Sequence, residues 1–172
     1  MSDSAILALV PAATVLMAEL VDHYESCVLH PYPDASGIPT IGWGNTQYED
    51  GTKVLLRDPV ISQARANTLR DFWLGKFITD IAPSMPKATT NQLAAFSDLA
   101  YNIGVGAFRS STAFRQFCLN NQRMAGASIE LWNRAGNHVL LGLQRRRRAE
   151  HLVFNSVQPV VAIAQAEKDF PT

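Results

Sequence analysis

Pro31, Pro33, Gly37, Pro39, Gly42, Gly44 and Gly51 punctuate one short stretch of this chain. No helix survives such a run, because proline removes backbone donors and glycine raises the entropy cost of order. Tyr32-Pro33 and the segment 38–43 read as short extended pieces around Asp34-Ala-Ser-Gly37, which has turn composition. The prediction is an antiparallel sheet of two or three strands. A sheet that small is not stable alone in water, so it must pack on helices.

The flanking sequence supplies the helices. Leu16, Leu20, Tyr24 and Val28 recur every four residues, widened by Met17 and Val21, and predict a helix ending before His30-Pro31. Asp58-Pro59 reads as the start of the next helix. Leu69, Trp73, Phe77 and Ile81 then repeat at helical spacing, up to the breakers Pro83 and Pro86. Thr90 is the expected cap of a helix over 91–102, stopped by Gly104 and Gly106. Short helices are expected near 111–119, 123–135 and 143–154, with a weakly helical tail over 156–172. Helices and strands are segregated, so the fold class is α+β. The 172 residues suit one unit: a helix plus small-sheet lobe over 15–57, a helical lobe over 58–155, and the tail.

Composition narrows the class. At 47% hydrophobic and 17% charged residues the chain is neither a disordered tail nor a coiled coil. The two cysteines, Cys27 and Cys118, exclude a disulfide scaffold and a cysteine zinc cluster, and are expected as buried free thiols, with one disulfide open as the alternative. The four histidines show no metal-ligand spacing, and none is assigned to a metal. The run 5–18 has no charged side chain but is shorter than the roughly 20 residues of a membrane span. It follows Asp3 and contains Pro11, so it reads as the approach to a soluble helix, with a releasable membrane anchor over 5–18 open as the alternative.

The zero net charge conceals a polarity. Residues 1–52 carry seven acids and no lysine or arginine, whereas 53–172 carry fifteen basic residues and eight acids. Within the acidic part, Glu25 lies near the end of the first helix, Asp34 nine residues on in a turn, and Thr40 six further on in a strand. Two carboxyls and a hydroxyl lining one cleft suit glycoside hydrolysis. One carboxyl gives a proton to the leaving oxygen, and the other, ionised, activates water or stabilises a cationic sugar. A nine-residue spacing alone is weak evidence, since such pairs are common.

The longer strings are more specific. Glu25-Ser-Cys-Val-Leu-His-Pro-Tyr-Pro-Asp34 leads into Thr40-Ile-Gly-Trp-Gly44. Further on come Leu99-Ala-Tyr-Asn-Ile-Gly-Val-Gly-Ala-Phe108, then Trp132-Asn-Arg-Ala-Gly136, then Gly142-Leu-Gln-Arg-Arg-Arg-Arg-Ala-Glu150. In content and order these blocks resemble the phage-type lysozymes, over about residues 15–155. The resemblance implies a lysozyme-like fold with a cleft between the lobes, and an endolysin that cuts the β-1,4 bond between N-acetylmuramic acid and N-acetylglucosamine in peptidoglycan. It implies Glu25 as general acid, Asp34 and Thr40 as holders of the water, inversion at the sugar carbon, and no cofactor. Tyr32, Asn102 and Arg145 are the expected substrate contacts, with Arg145 approaching the cleft and pairing with Glu25. The implied partner is peptidoglycan and not nucleic acid, for a monomer that waits in the host cytoplasm and reaches the periplasm and wall on release.

The sequence departs from the family pattern at Ser26, where glycine is common after the acid, and at Asn45, where many relatives have histidine. Asn45 hydrogen-bonds but carries no charge, which implies altered lobe stability and not altered catalysis. Trp43 is expected in the core more than as a sugar platform. Arg145, Arg146, Arg147 and Arg148 are expected on a solvated face, one of them paired with Glu150, where they would also meet anionic peptidoglycan or outer-leaflet phosphates. Three rival readings remain: a lytic transglycosylase, a catalytically silent wall-binding protein on the same scaffold, and membrane disruption by cationic helices.

Overall fold

The computed structural model describes residues 3–34 and 36–172. Its elements run α1 (Asp3–Leu7), α2 (Val10–Tyr24), β1 (Val28–Pro33), β2 (Pro39–Gly42), α3 (Gln63–Ile81), α4 (Thr90–Ile103), α5 (Val105–Ser110), α6 (Thr112–Cys118), α7 (Gln122–Ile129), β3 (Arg134–Ala135), β4 (His138–Val139), α8 (Leu141–Phe154) and α9 (Pro159–Asp169). This is the predicted α+β arrangement of mostly helix with a small antiparallel sheet. Among the described residues no helix is long and apolar enough to cross a membrane.

Pro11 stands in the first turn of α2, where its missing N–H belongs to a group that would be unpaired anyway. Ala13, Thr14, Met17, Ala18, Leu20 and Val21 form the buried stripe. The helix stops five residues before the predicted end. Glu25 is already extended at φ −109°, ψ 161°, and its N–H closes the last turn onto the Val21 carbonyl at 2.9 Å. Val28 therefore opens β1 instead of extending the helical stripe.

β1 and β2 pair antiparallel with Val28 opposite Gly42, Tyr32 opposite Thr40 and Pro33 opposite Pro39. Four residues of β1 thus span two of β2, a bulge centred on His30-Pro31. Pro31 has no N–H for the ladder, so the strand bulges where it must skip a bond. After β2, Gly42 takes φ +64°, and a Cβ there would meet Asn45 Oδ1 at 3.4 Å and the Ala66 Cβ at 3.5 Å. Those are ordinary contacts, so it is the left-handed φ, and not lack of space, that favours glycine in this turn against α3. Ile41, Val54 and Leu69, with Tyr48, Ile61 and Trp73 packed around them, form the small core under this sheet.

The next helix begins later than Asp58-Pro59. Ser62 is the cap, its Oγ accepting from the Arg65 N–H at 3.1 Å. Asp58 serves the preceding loop, accepting from Tyr48 Oη at 3.0 Å and from the Leu55 N–H at 2.8 Å. Ser62→Ala is expected to lower the unfolding free energy by about 1 kcal/mol, read from the urea midpoint. The buried stripe of α3 passes through Leu74 and Ile78, which turns Trp73 and Phe77 to its half-buried flank.

α4 is the centre of the helical lobe. Thr89, one residue before the predicted cap, and Gln92 form a reciprocal capping box. Every residue from Leu93 to Ala100 is buried, as a helix packed on all sides requires. It lies against α2 and α8. The predicted helix over 123–135 ends at Ile129, and a two-residue Gly136-Asn137 turn joins β3 to β4. The tail is a proper helix, since α9 packs along α8 and buries Ala162 and Ala166 in the main core. Neither cysteine is fully buried: Cys118 is exposed, and half-buried Cys27 accepts from Gln63 Nε2 at 3.5 Å.

Candidate active site

Glu25 owes its place to the early end of α2. As the first residue off the helix it projects beside the junction with the sheet, with its side chain 35% exposed. One of its oxygens is fixed, because Arg146 Nη1 donates to Oε1 at 2.6 Å. Tyr24, Glu25, Asn102, Leu140, Gly142, Leu143 and Arg146 line a cavity of about 350 Å³. A second hollow of about 280 Å³ is lined by Gly44, Asn45, Thr46, Gln47, Trp73 and Tyr101. The consecutive residues Tyr101 and Asn102, at the end of α4, contribute one wall to each. Partial burial, and then the Glu25 carboxylate, hold the Tyr101 phenol above its ordinary range.

Asp34 and Thr40 meet at Ile38. Asp34 Oδ1 accepts from the Ser36 and Ile38 N–H groups, both at 2.8 Å, and the Asp34 N–H donates to the Ile38 carbonyl at 2.9 Å. The Thr40 hydroxyl donates to that same carbonyl at 2.9 Å, and the residue is 3% exposed. The turn thus uses Asp34 Oδ1 and leaves Oδ2 outside it. The Thr40 proton is spoken for, while its oxygen retains acceptor capacity. Tyr32 is the cross-strand partner of Thr40.

The arginine run does not form a solvated face. α8 buries Arg146, Arg147, Ala149, Glu150, Val153 and Phe154 together. Arg146 binds Asp98 side-on, with Nε to Oδ2 at 3.0 Å and Nη2 to Oδ1 at 2.9 Å, a two-point grip suited to a planar guanidinium. Arg147 Nη2 donates to Asn102 Oδ1 at 3.2 Å and lies 2.7 Å from Glu150 Oε1. Arg148 spans Asp169 and Glu130. Arg145 is directed away from Glu25, its Nε donating to the Phe170 carbonyl at 2.8 Å. The expected Arg145–Glu25 pair is therefore Arg146–Glu25: helical phase puts position 146 on the buried stripe and 145 beside it. Arg146 and Arg147 are buried and Arg148 is paired with two carboxylates, which leaves half-buried Arg145 as the one member of the run without a carboxylate partner among the described residues.

Burial works against the charges of both Arg146 and Asp98, yet their mutual attraction prevails. It holds the guanidinium above its ordinary range and the Asp98 carboxyl below its own. Glu150 behaves oppositely. Burial raises its pKa well above the carboxylate range; Arg147 and, less strongly, Arg146 oppose the rise, and the neighbouring Asp98 adds to it. Trp43, half-buried, donates from Nε1 to Asn67 Oδ1 at 3.0 Å beneath the Arg70 guanidinium, a packing role. The Asn45 side chain is uncharged and half-buried, and its buried Oδ1 has no partner among the described residues. Among those residues no group of three or more His, Cys, Asp or Glu side chains is arranged to hold a metal ion.

The structure places Glu25 and Asn102 at one cavity and gathers Asp34, Thr40 and Tyr32 at the hairpin; the sequence reading expects a Glu150 partner for the arginine run, but does not single out Asp98, nor Arg146 as the partner of Glu25. Asp98 is the one charged residue in the apolar run 93–100 of α4, a signal available in the sequence.

A phage lysozyme family model matches residues 22–150. The endolysin of Salmonella phage P22 is 34% identical over 126 residues, covering 72% of this chain and 85% of that one. The endolysin of Bacillus phage PZA is 33% identical over 146 residues, covering 81% of this chain and 54% of that longer protein. A crystal structure of a mutant P22 lysozyme superposes with a TM-score of 0.70 at 32% identity, over 81% of this chain and 94% of that one.

Proposed function

The chain belongs to the phage lysozyme family and is a lysozyme-type glycoside hydrolase, and on that premise we propose that it hydrolyses the β-1,4 bond between N-acetylmuramic acid and N-acetylglucosamine in peptidoglycan, with Glu25 as general acid. The observation that carries this reading is the setting of Glu25. It is a part-exposed carboxyl at a cavity edge, with one oxygen held by a buried guanidinium and the other left for substrate. A general acid needs that combination of access and fixed direction.

On the same reading Asp34 and Thr40 hold the attacking water. Asp34 Oδ2 takes one water proton as an acceptor, and the Thr40 oxygen accepts the other hydrogen bond. The water adds to the anomeric carbon from the face opposite Glu25. As the glycosidic bond breaks, the Glu25 proton passes to the leaving oxygen, and the product forms with inverted configuration. The two hollows along the end of α4 give room for sugars on either side of the scissile bond, with Asn102 and Tyr32 as contacts. The protein works as a monomer that lyses the host, held in the cytoplasm until it is released to the wall.

The anomeric form of the newly formed reducing end, read by proton NMR during digestion of purified glycan chains, tests the water-holding roles. The α anomer is the expected first product. Thr40→Val should lower kcat by about 100-fold with the fold intact by circular dichroism. A β product, or a Thr40→Val enzyme of wild-type kcat, overturns the assignment of Asp34 and Thr40.

A further inference from the structure

Glu25 is held by a cation, yet a general acid must carry a proton, and a nearby guanidinium opposes that. What lies behind Arg146 bears on this conflict. The Asp98 carboxylate grips two of the three Arg146 nitrogens, which leaves Nη1 for Glu25. Behind Asp98 is Glu150, and both side chains are completely buried. Neither Glu150 oxygen accepts a well-directed hydrogen bond among the described residues. Arg147 Nη2 comes within 2.7 Å of Oε1 but with poor alignment, and Arg146 Nε stands off at 3.6 Å. An ionised carboxylate so placed would be buried without adequate donors, beside a second carboxylate. A neutral carboxylic acid has a proton to give, and Asp98 and Glu150 flank the same guanidinium nitrogen, Arg146 Nε, which lies 3.0 Å from Asp98 Oδ2 and 3.6 Å from Glu150 Oε1.

We propose that Asp98 and Glu150 share one proton, and that this buried acid pair is a positioning device for Glu25. Asp98 supplies the charge that locks Arg146 and partly neutralises it. Glu150 donates to Asp98 as a neutral acid, so it fixes the Asp98 orientation without adding a second anion that would draw Arg146 off Glu25. The Arg146 contact then orients Glu25 while doing less to keep it ionised. This role rests on the reading of Glu25 as the general acid; the shared proton does not.

The groups facing the pair are consistent with one proton. From α2 come Tyr24 and Glu25, with the Tyr24 ring 5.8 Å from the Arg146 guanidinium, and His23, which meets Glu167 of α9 at 3.2 Å. From α4 come Asp98, Tyr101 and Asn102, and from α8 come Arg146 and Arg147. Glu130, beyond α7, is occupied by Arg148 and His151. With Glu25 ionised, the two buried guanidiniums balance Asp98 and Glu25, and an ionised Glu150 would then leave the cluster net negative.

Two measurements on the whole protein test this. The first is the infrared spectrum of wild type in heavy water at neutral pH, with and without 13C-labelled glutamate. A protonated-carboxyl carbonyl band that moves on labelling, and is absent from Glu150→Gln, is expected. The second is the pH dependence of kcat. Asp98→Asn leaves Arg146 wholly to Glu25, so the loss of activity on the alkaline side should move to lower pH, with kcat down about 10-fold to 100-fold. Glu150→Gln retains a neutral donor and should leave the alkaline limb where it lies in wild type. A purely structural role predicts lower stability in both variants and no movement of the limb in either. Absence of the labelled band from wild type overturns the shared proton even if Glu150→Gln fails to fold. Equal limb shifts in both variants, or none in Asp98→Asn, overturn the positioning role. Should Glu25→Gln prove fully active, the general-acid reading falls, and the infrared result still decides the proton.

Discussion

Arg146→Met should cost about 3–5 kcal/mol of stability, because it leaves the buried Asp98 carboxylate without its guanidinium. The size follows from burial: the Arg146 side chain is 4% exposed and that of Asp98 not at all. Surface pairs such as Arg65–Glu49, with 39% and 28% exposure, contribute far less. The deficit should depend on pH. In wild type, burial disfavours the Asp98 charge, and Arg146 overrides it and holds the carboxyl below its ordinary range. A lowered carboxyl stabilises the fold above its unfolded pKa of about 3.9, and that contribution is lost as pH falls through the folded value. Arg146→Met has no such contribution. Its urea midpoint should lie far below that of wild type at neutral pH, with the gap closing in acid. Replacing Asp98 as well, in an Arg146→Met/Asp98→Leu protein, should recover much of the loss, since an apolar pair removes the orphaned charge. A gap that is equal at all pH values would contradict the account of this pair.

Glu25→Gln should lower kcat by about 1,000-fold while the protein stays folded. Glutamine keeps the shape and accepts from Arg146, but has no acidic proton for the leaving oxygen. Because the lost ion pair is one-third exposed on the Glu25 side, the expected stability change is small in comparison with Arg146→Met. The contrast separates the two ends of one guanidinium: losing the Arg146–Asp98 contact is expected to cost far more stability than losing the Arg146–Glu25 contact. A Glu25→Gln enzyme that fails only through unfolding would contradict that division.

These residues were unequally legible in the sequence. The segment 31–51 announces a hairpin through its prolines and glycines, and the hairpin lies where they put it. Asp34 is readable as a turn residue, since aspartate before Ser36-Gly37 caps its own backbone, while its place in the site is read only from the resemblance. The end of α2 is less readable, since Val28 continues the fourfold apolar spacing and only pairing with Gly42 makes it a strand. Asp58-Pro59 imitates a helix start, but the competing bonds from Tyr48 and Leu55 claim Asp58 for a loop. The arginine run shows the limit of spacing without phase. Four consecutive arginines turn through more than three-quarters of a helix circle, so their sequence alone does not say which one faces the core. Ala149, Val153 and Phe154 set the phase that turns Arg146 and Arg147 inward. Asp98 and Glu150 lie 52 positions apart, and their meeting is a tertiary fact that no local pattern encodes. The helical character of 159–169 is faint because α9 packs through small residues, Ala162 and Ala166, which give little amphipathic contrast.

Mass spectrometry of the fragments released from purified peptidoglycan by wild type, run beside Glu25→Gln, tests the account most directly. Hydrolysis with Glu25 as the acid predicts muramic acid at hydrated reducing ends from wild type, and almost none from the variant. Anhydro-muramic ends would contradict the assignment of Asp34 and Thr40 to a water, and hydrated ends from both proteins at similar rates would contradict the assignment of Glu25.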